Sequence, residues 1–424
     1  MPVQLTQVQG LRAQNRRAIM AAIRNHSRIA RVDIARETGI SAATVTSITA
    51  DLVAEGLVEE TVDPEHVRAG SRGRPRVLLQ VRPDAFLIGG AKISAEKITV
   101  TLTDFAGEEL SYVVSELAAP LSRTAGDVAD LLRDTVLEAL ALCGRREEEL
   151  ASLGVGVPGF VDSNTGVIHW SACFGDRNAP FGDLIERRFS CPVALDNDAN
   201  LVALAEKWFG HGRGIDNFIV LTIEQGIGLG IVLDGKIFRG ARGIGTEFAH
   251  TKIQHGGMLC RCGQRGCLEA YVADYAIARE AGVALGRDLS HDVTPRTELD
   301  LLYQEAMAGN PVARGVFERA GSLFALGLAN LVNVFDPSLI IFSGERMQYD
   351  YLYSQNVLEQ MQSLTVVPER SRPEIQIHKW GERIWARGAA ALAMDGLVEQ
   401  AARGRLRLDR NVHETREEPQ SVTV

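Results

Sequence analysis

Four side chains in the middle of the chain restrict its folding more than any other feature. His250, Cys260, Cys262 and Cys267 stand ten, two and five residues apart. One imidazole and three thiolates are the donor set of a closed tetrahedral Zn2+ site, which leaves no position for an activated water. Gly256, Gly257, Gly263 and Gly266 allow so short a segment to wrap an ion. The alternative is four buried side chains without metal. Three of the six cysteines fall within eight residues, however, and that clustering favours a structural zinc.

No apolar signal-peptide core stands at the N-terminus, and the most apolar stretch, 218–233, is interrupted by Glu224 and Gln225. A cytoplasmic protein with no membrane segment is expected, its cysteines kept as thiols or metal ligands. At 424 residues the chain should hold two or three cores. Its net charge of −9 argues against nucleic-acid binding until it is divided. Residues 1–82 carry twelve Arg, no Lys and eight acidic residues, a net +4, whereas the remainder carries −13. A small basic head precedes a large acidic body.

The head reads as three helices and a wing. Ala18, Ile19, Ala22 and Ile23 recur at helical spacing over 14–25, and a second helix is expected over 32–38. Gly39 suits the left-handed residue that ends it. Ser41 is a good N-cap for a third helix over 42–55, with Val45, Ile48 and Leu52 on one face. Ser41, Ala42, Thr44, Thr46 and Ser47 then stand at its exposed start, where a recognition helix meets a major groove. Strands are expected over 57–61 and 77–81, joined by a tip that ends Arg72-Gly73-Arg74-Pro75-Arg76. Arginine on an extended Gly/Pro backbone fits a narrow, electronegative minor groove. Helix-turn-helix pairs also dock proteins, but three helices, a wing and a basic tip in this order favour double-stranded DNA.

In the body, strand-like runs (98–103, 153–157, 192–195, 217–223, 230–233, 339–342) alternate with helical stretches such as 125–143 and 318–335. That pattern is α/β, with mixed sheets and a cleft between two lobes. The segment 404–424 is charged and without apolar periodicity, and is expected to be disordered.

Gly240-Ala-Arg-Gly-Ile-Gly-Thr-Glu247-Phe-Ala-His250 and Cys260-Arg-Cys-Gly-Gln-Arg-Gly-Cys267-Leu-Glu269 closely resemble the ROK family of repressors, open reading frames and kinases. So do Val155-Gly-Val-Pro-Gly159, Asp196-Asn-Asp-Ala-Asn200 and Asn330-Leu-Val-Asn333-Val-Phe-Asp-Pro337, and the head is similar to the winged helix of the repressor branch. The resemblance implies an actin-like, ribonuclease H-like body whose two lobes hinge around a sugar. It places Asn197, Asp198, Glu247 and Glu269 on sugar hydroxyls, with Asp198 at the kinase branch's catalytic-base position. His250 would bind zinc and order the sugar loop. Asp196 is expected to be a helix cap rather than a sugar ligand.

Phosphoryl transfer needs glycine-rich turns around the phosphates and a carboxylate for magnesium or water. Where the kinase branch reads Asp-x-Gly-Gly-Thr, this chain has Lys92-Ile-Ser94-Ala-Glu96. Gly-Thr-Gly-x-Gly has become Glu224-Gln225-Gly226-Ile227-Gly228, and a Gly-Gly for adenosine has become Ser343-Gly344. Catalysis is therefore not expected, and Asp198 is a vestigial base position. Cys173 replaces an Asn that touches sugar in many members, which leaves the signal open: an unusual sugar, an oligosaccharide, a phosphorylated derivative, or a protein partner with the sugar cleft partly vestigial.

The expected protein is a sugar-responsive regulator, by default a repressor of carbohydrate uptake or catabolism genes. It is expected to act as a homodimer or homotetramer, since paired half-sites need two heads. The alternatives are an active ATP-dependent sugar kinase with an appended head and an adaptor whose head docks proteins. The expected divisions are a head at 1–82, a first lobe at 83–196 plus 384–403, and a second lobe at 197–383 with the zinc loop.

Overall fold

The computed structural model describes residues 7–62, 77–117, 123–223, 226–286, 295–344, 347, 349–366, 368, 372–379, 381 and 383–402. The head comprises α1 (Gln7–Asn25), α2 (Arg31–Thr38), α3 (Ala42–Ala54), β1 (Val58–Val62) and β2 (Val77–Val81). Helix α1 begins earlier than its apolar period indicated. Ion pairs hold α1 to α3, Arg12 of the extra turns with Asp51 at 2.6 Å and Arg16 with Glu55. Gly39 ends α2 at φ 67°, and Ser41 Oγ accepts the Thr44 amide at 3.3 Å to cap α3. Val45, Ile48 and Leu52 are buried, as their spacing requires. Strands β1 and β2 pair antiparallel from Val58↔Val81 to Val62↔Val77. The wing tip with Arg72 and Arg74, the pair Glu224–Gln225 and the segment 404–424 lie outside the described residues.

The body continues with β3 (Leu87–Ile93), β4 (Lys97–Thr103), β5 (Glu109–Glu116), α4 (Ala125–Leu142), β6 (Leu150–Val157), β7 (Phe160–Asp162), β8 (Val167–Trp170), α5 (Phe181–Glu186), β9 (Val193–Asn197) and α6 (Asp198–Phe209). Then come β10 (Phe218–Ile223), β11 (Ile227–Leu233), β12 (Lys236–Ile237), α7 (Glu269–Val272), α8 (Asp274–Leu285), α9 (Pro295–Met307) and α10 (Pro311–Phe335). The last elements are β13 (Leu339–Ser343), α11 (Gln355–Leu364), β14 (Glu374–Ile377) and α12 (Arg383–Ala402).

Two five-stranded sheets repeat one topology, β5-β4-β3-β6-β9 and β12-β11-β10-β13-β14. In each, three antiparallel strands are followed by two parallel ones. This duplicated order is the expected ribonuclease H-like pattern. Strands β3, β10 and β13 are buried along their whole length, because helices cover both faces of their sheets. Helix α10 starts at Pro311, earlier than its apolar run suggested, because Asn310 Oδ1 accepts the Val312 and Ala313 amides. Its apolar face (Ala320, Phe324, Leu328, Val332) is spent on this chain's own core. No helix among the described residues is long and apolar enough to cross a membrane.

Helix α12 binds the parts together. Its backbone lies directly on the first sheet: a Cβ at Gly90 would stand 2.1 Å from Ala386 O, and one at Gly154 1.9 Å from Ala389 O. On its other side, a Cβ at Gly388 would stand 2.1 Å from Leu201 O in α6. The head joins at the same place. Arg17 pairs with Glu399 of α12, and the Arg24 guanidinium lies 3.3 Å from the Trp208 ring centroid at the end of α6. Arg213 donates to the Arg24 carbonyl at 3.0 Å and to that of Asn25, covering the open C-terminus of α1. Burial lowers the Arg24 pKa to about 10. Gly154→Ala should destabilise the protein by about 3 kcal/mol, because only backbone stands in the way of the methyl group. Gly10→Ala in the open part of α1 should stay within about 1 kcal/mol of the parent. Urea unfolding of both variants measures the difference.

Candidate functional site

The ligand atoms of His250, Cys260, Cys262 and Cys267 all lie within 4.8 Å of one another. Cys260 Sγ is 3.7 Å from His250 Nδ1, and Cys262 Sγ is 3.7 Å from Cys267 Sγ. A tetrahedron with bonds of about 2.0–2.3 Å has edges of roughly 3.5–3.8 Å, so the donor set fits an ion such as zinc. The turn is tight. Gly266 has φ 79°, and a Cβ there would stand 1.8 Å from Gln254 O. Lys252 Nζ lies 3.0 Å from Cys267 Sγ.

The cluster touches a group of carboxylates. His250 offers Nδ1 to the cysteines, while its Nε2 lies 3.6 Å from Glu269 Oε2. Metal-bound imidazoles commonly use the second nitrogen in this way. Thr246 takes φ 73°, unusual for a β-branched residue, at the turn before Glu247. Glu247 is open to the solvent of the cleft. Its pKa is raised to about 7, first by partial desolvation and then by the charges of Asp198 and Glu269. Desolvation also raises the pKa of Asp198, and the Lys92 ammonium opposes that shift. Four of the five expected sugar ligands, Asp198, Glu247, His250 and Glu269, are thus brought together.

Asn197 has a different task. Its Oδ1 accepts the Ala199 amide at 2.9 Å and its Nδ2 donates to Gly159 O at 2.9 Å. Asn197 is therefore the cap of α6, and the expectation of a cap at Asp196 is corrected. Asp196 is fully buried and pairs with Arg239 at 2.6 Å, while accepting from Asn197 N and Asn200 Nδ2 at 2.8 Å. A carboxylate so far from water needs several partners, whereas a cap needs only one acceptor at the helix edge.

Lys92 is buried at the end of β3, its ammonium 3.7 Å from the Trp385 ring centroid. Cys173 is fully buried, and desolvation raises its thiol to about 11, helped by the nearby Asp198 charge. Ser343 is fully buried beside Gly344, where a Cβ would stand 2.5 Å from Ile223 O. A cavity of about 440 Å3 lies apart from the carboxylates, between Ser163–Gly166 of the first lobe, strand β9, Arg239 and Leu392.

On the head, Ser41, Ala42, Thr46 and Ser47 are exposed and Thr44 is partly so. Ser41 Oγ and Thr44 Oγ1 are 2.8 Å apart, and Thr46 Oγ1 donates back to Ala42 O at 2.8 Å. Sequence reasoning noted Lys92 only as a missing carboxylate, and it missed Arg239 as the partner of Asp196. It also missed Phe160, whose ring centroid lies 6.1 Å from that of His250. No local pattern carries these pairings, since they join residues far apart in the chain.

A family model described as ROK family matches residues 88–396, and one described as winged helix-turn-helix DNA-binding matches residues 12–59. The chain is 28% identical over 394 residues to the xylose repressor of Caldicellulosiruptor bescii, covering 92% of this chain and 97% of that protein. It is 34% identical over 225 residues to the glucokinase of Thermotoga maritima, covering 51% and 69%. The fold matches the crystal structure of a ROK family transcriptional regulator homologous to the Mlc protein of Escherichia coli. That match has a TM-score of 0.74 and 23% identity, over 93% of this chain and 98% of that one. Arg239→Ala should cost about 3 kcal/mol by leaving Asp196 buried without its cation, and Asp196→Asn should cost less. Denaturant midpoints of the two variants test the order.

Proposed function

The chain belongs to the ROK family, and from that membership we propose that it is a sugar-responsive DNA-binding regulator, by default a repressor of carbohydrate genes. The observation that carries this reading is the placement of α6. Asp198 begins it within the carboxylate cleft, and Trp208 and Arg213, near its other end, hold the head. Twelve helical residues span about 18 Å, so one rigid element joins sensor to reader. A sugar bound between the lobes would favour one hinge angle and shift the head through α6. A coupling of about 1–3 kcal/mol changes operator affinity roughly five- to 150-fold.

The head is assigned to residues 1–82, the first lobe to 83–196 with 384–403, and the second to 197–383. The two sheets and the seat of α12 on the first support that division. Ser41, Ala42, Thr44, Thr46 and Ser47 read the major groove, and Arg72 and Arg74 enter the minor groove. A homodimer or homotetramer supplies two heads for paired half-sites. Asp198, Glu247, His250 and Glu269 accept or order sugar hydroxyls, and Asn197 positions Asp198 by capping α6. Zinc at His250, Cys260, Cys262 and Cys267 is structural: it fixes the loop that carries Glu269 and His250 to the cleft.

The body works without phosphoryl transfer. Lys92 stands where the kinase branch has a carboxylate for its metal or water, and its charge acts on Asp198 instead. The T. maritima glucokinase is a relative that favours the kinase alternative.

A gel shift on the chain's own upstream DNA, repeated across a panel of sugars and sugar phosphates, tests the reading. Binding should change with at least one sugar, and no sugar should be phosphorylated by ATP at high protein concentration. Arg72→Ala with Arg74→Ala should weaken binding and reduce the log–log salt slope by about 1–2. Binding equal to the parent's refutes the wing assignment. Metal analysis should find one zinc per chain in the parent, and Cys260→Ser with Cys262→Ser should lose it and lower the thermal midpoint. Full metal occupancy in that variant would rule out the assigned ligands.

A further inference from the structure

We infer that Trp170 and Phe160 form a stacking subsite for a second sugar ring, so that the effector is a disaccharide or longer oligosaccharide. The inference rests on the reading of the body as a sugar sensor. Phe160 and Trp170 pair across β7 and β8, their ring centroids 5.8 Å apart and tilted by 48°. Phe160 in turn presents its ring to His250 at 6.1 Å and 68°. Its outer neighbour Trp170 keeps 37% of its surface exposed, whereas Trp208 and Trp385 are buried. The indole therefore stands one ring beyond the imidazole that borders Glu269.

Exposed apolar side chains are common and mean little singly. Here the exposed ring is continuous with the polar cleft on two sides. Gly159, next to Phe160, offers its carbonyl to Asn197 Nδ2 at 2.9 Å, which ties the strand pair to the start of α6. A Cβ at Gly159 would stand 2.1 Å from Trp170 O, so the rim closes onto the site only because this residue is glycine. On the other side the chain runs from Trp170 through Ser171, whose Oγ accepts the Cys173 amide at 3.1 Å. Cys173 is fully buried within the electrostatic reach of Asp198. Three residues thus lead from an aromatic rim to the cleft.

The chemistry of the two zones differs in the way a glycan requires. Asp198, Glu247 and Glu269 accept hydroxyl donors. Trp170 offers the electron-rich face of a ring, which the weakly positive C–H face of a pyranose covers well. Arg177, 5.9 Å from the Trp170 ring centroid, brings guanidinium donors to the same rim. Trp170 is stiff, so little side-chain entropy is lost on stacking.

Calorimetric titration of the full-length, zinc-loaded protein tests the subsite with three pairs of probes: D-xylose and xylobiose, D-glucose and cellobiose, N-acetylglucosamine and chitobiose. In at least one pair the disaccharide should bind about tenfold more tightly than its monosaccharide. Trp170→Ala should remove that advantage and leave monosaccharide affinity unchanged, while Trp170→Phe retains most of it. A disaccharide no tighter than its monosaccharide in every pair overturns the subsite alone, as does equal weakening of both by Trp170→Ala. Absence of binding by all six sugars overturns the sensor reading and the subsite with it.

Discussion

The backbone of one helix, α12, has to lie in direct contact with two other layers. Gly90 and Gly154 receive it on the first sheet, and its own Gly388 receives α6. At such distances no side chain separates the main chains, so helix and strands form one unit with little room to slide. The sequence Arg387-Gly388-Ala389-Ala390-Ala391 suits that seat because its side chains are too small to hold the layers apart. The head meets this unit where Glu399 pairs with Arg17 and where Arg24 lies on Trp208, whose Nε1 donates to Asp395 at 2.8 Å.

Helix α6 is positioned by that contact and turns it to use. Asn197 closes its first turn, and the buried Asp196–Arg239 pair anchors the strand end before it to the loop that follows β12. At its far end, Trp208 stacks on Arg24 and Arg213 covers the carbonyls that end α1. The joint consists of a few charged and aromatic contacts on top of a shared apolar cluster.

The cleft is organised by charge. Three carboxylates converge on it, and their mutual repulsion is offset by Lys92 on the side of the first sheet. On the other side the donor set around His250 suits a dication, which would draw Glu269 toward the ring nitrogen left free. Lys92 at the end of β3 and the buried Cys173 are therefore parts of one electrostatic arrangement around Asp198.

The sequence by itself determined the local features. Gly39 and Ser41 bound the helices of the head because their conformations and hydrogen bonds involve immediate neighbours. The spacing of His250, Cys260, Cys262 and Cys267 was enough to bring four donors together, since a short glycine-rich loop keeps side chains so near in sequence near in space. The family motifs carried the fold class and four of the five cleft residues. Only the tertiary structure decided that Asn197 caps α6 and that Asp196 is buried against Arg239. It alone brought Lys92 to Asp198, Trp208 to Arg24, and Phe160 to His250. Those contacts join residues from separate layers, and their energies depend on distance and burial, which a one-dimensional pattern does not encode.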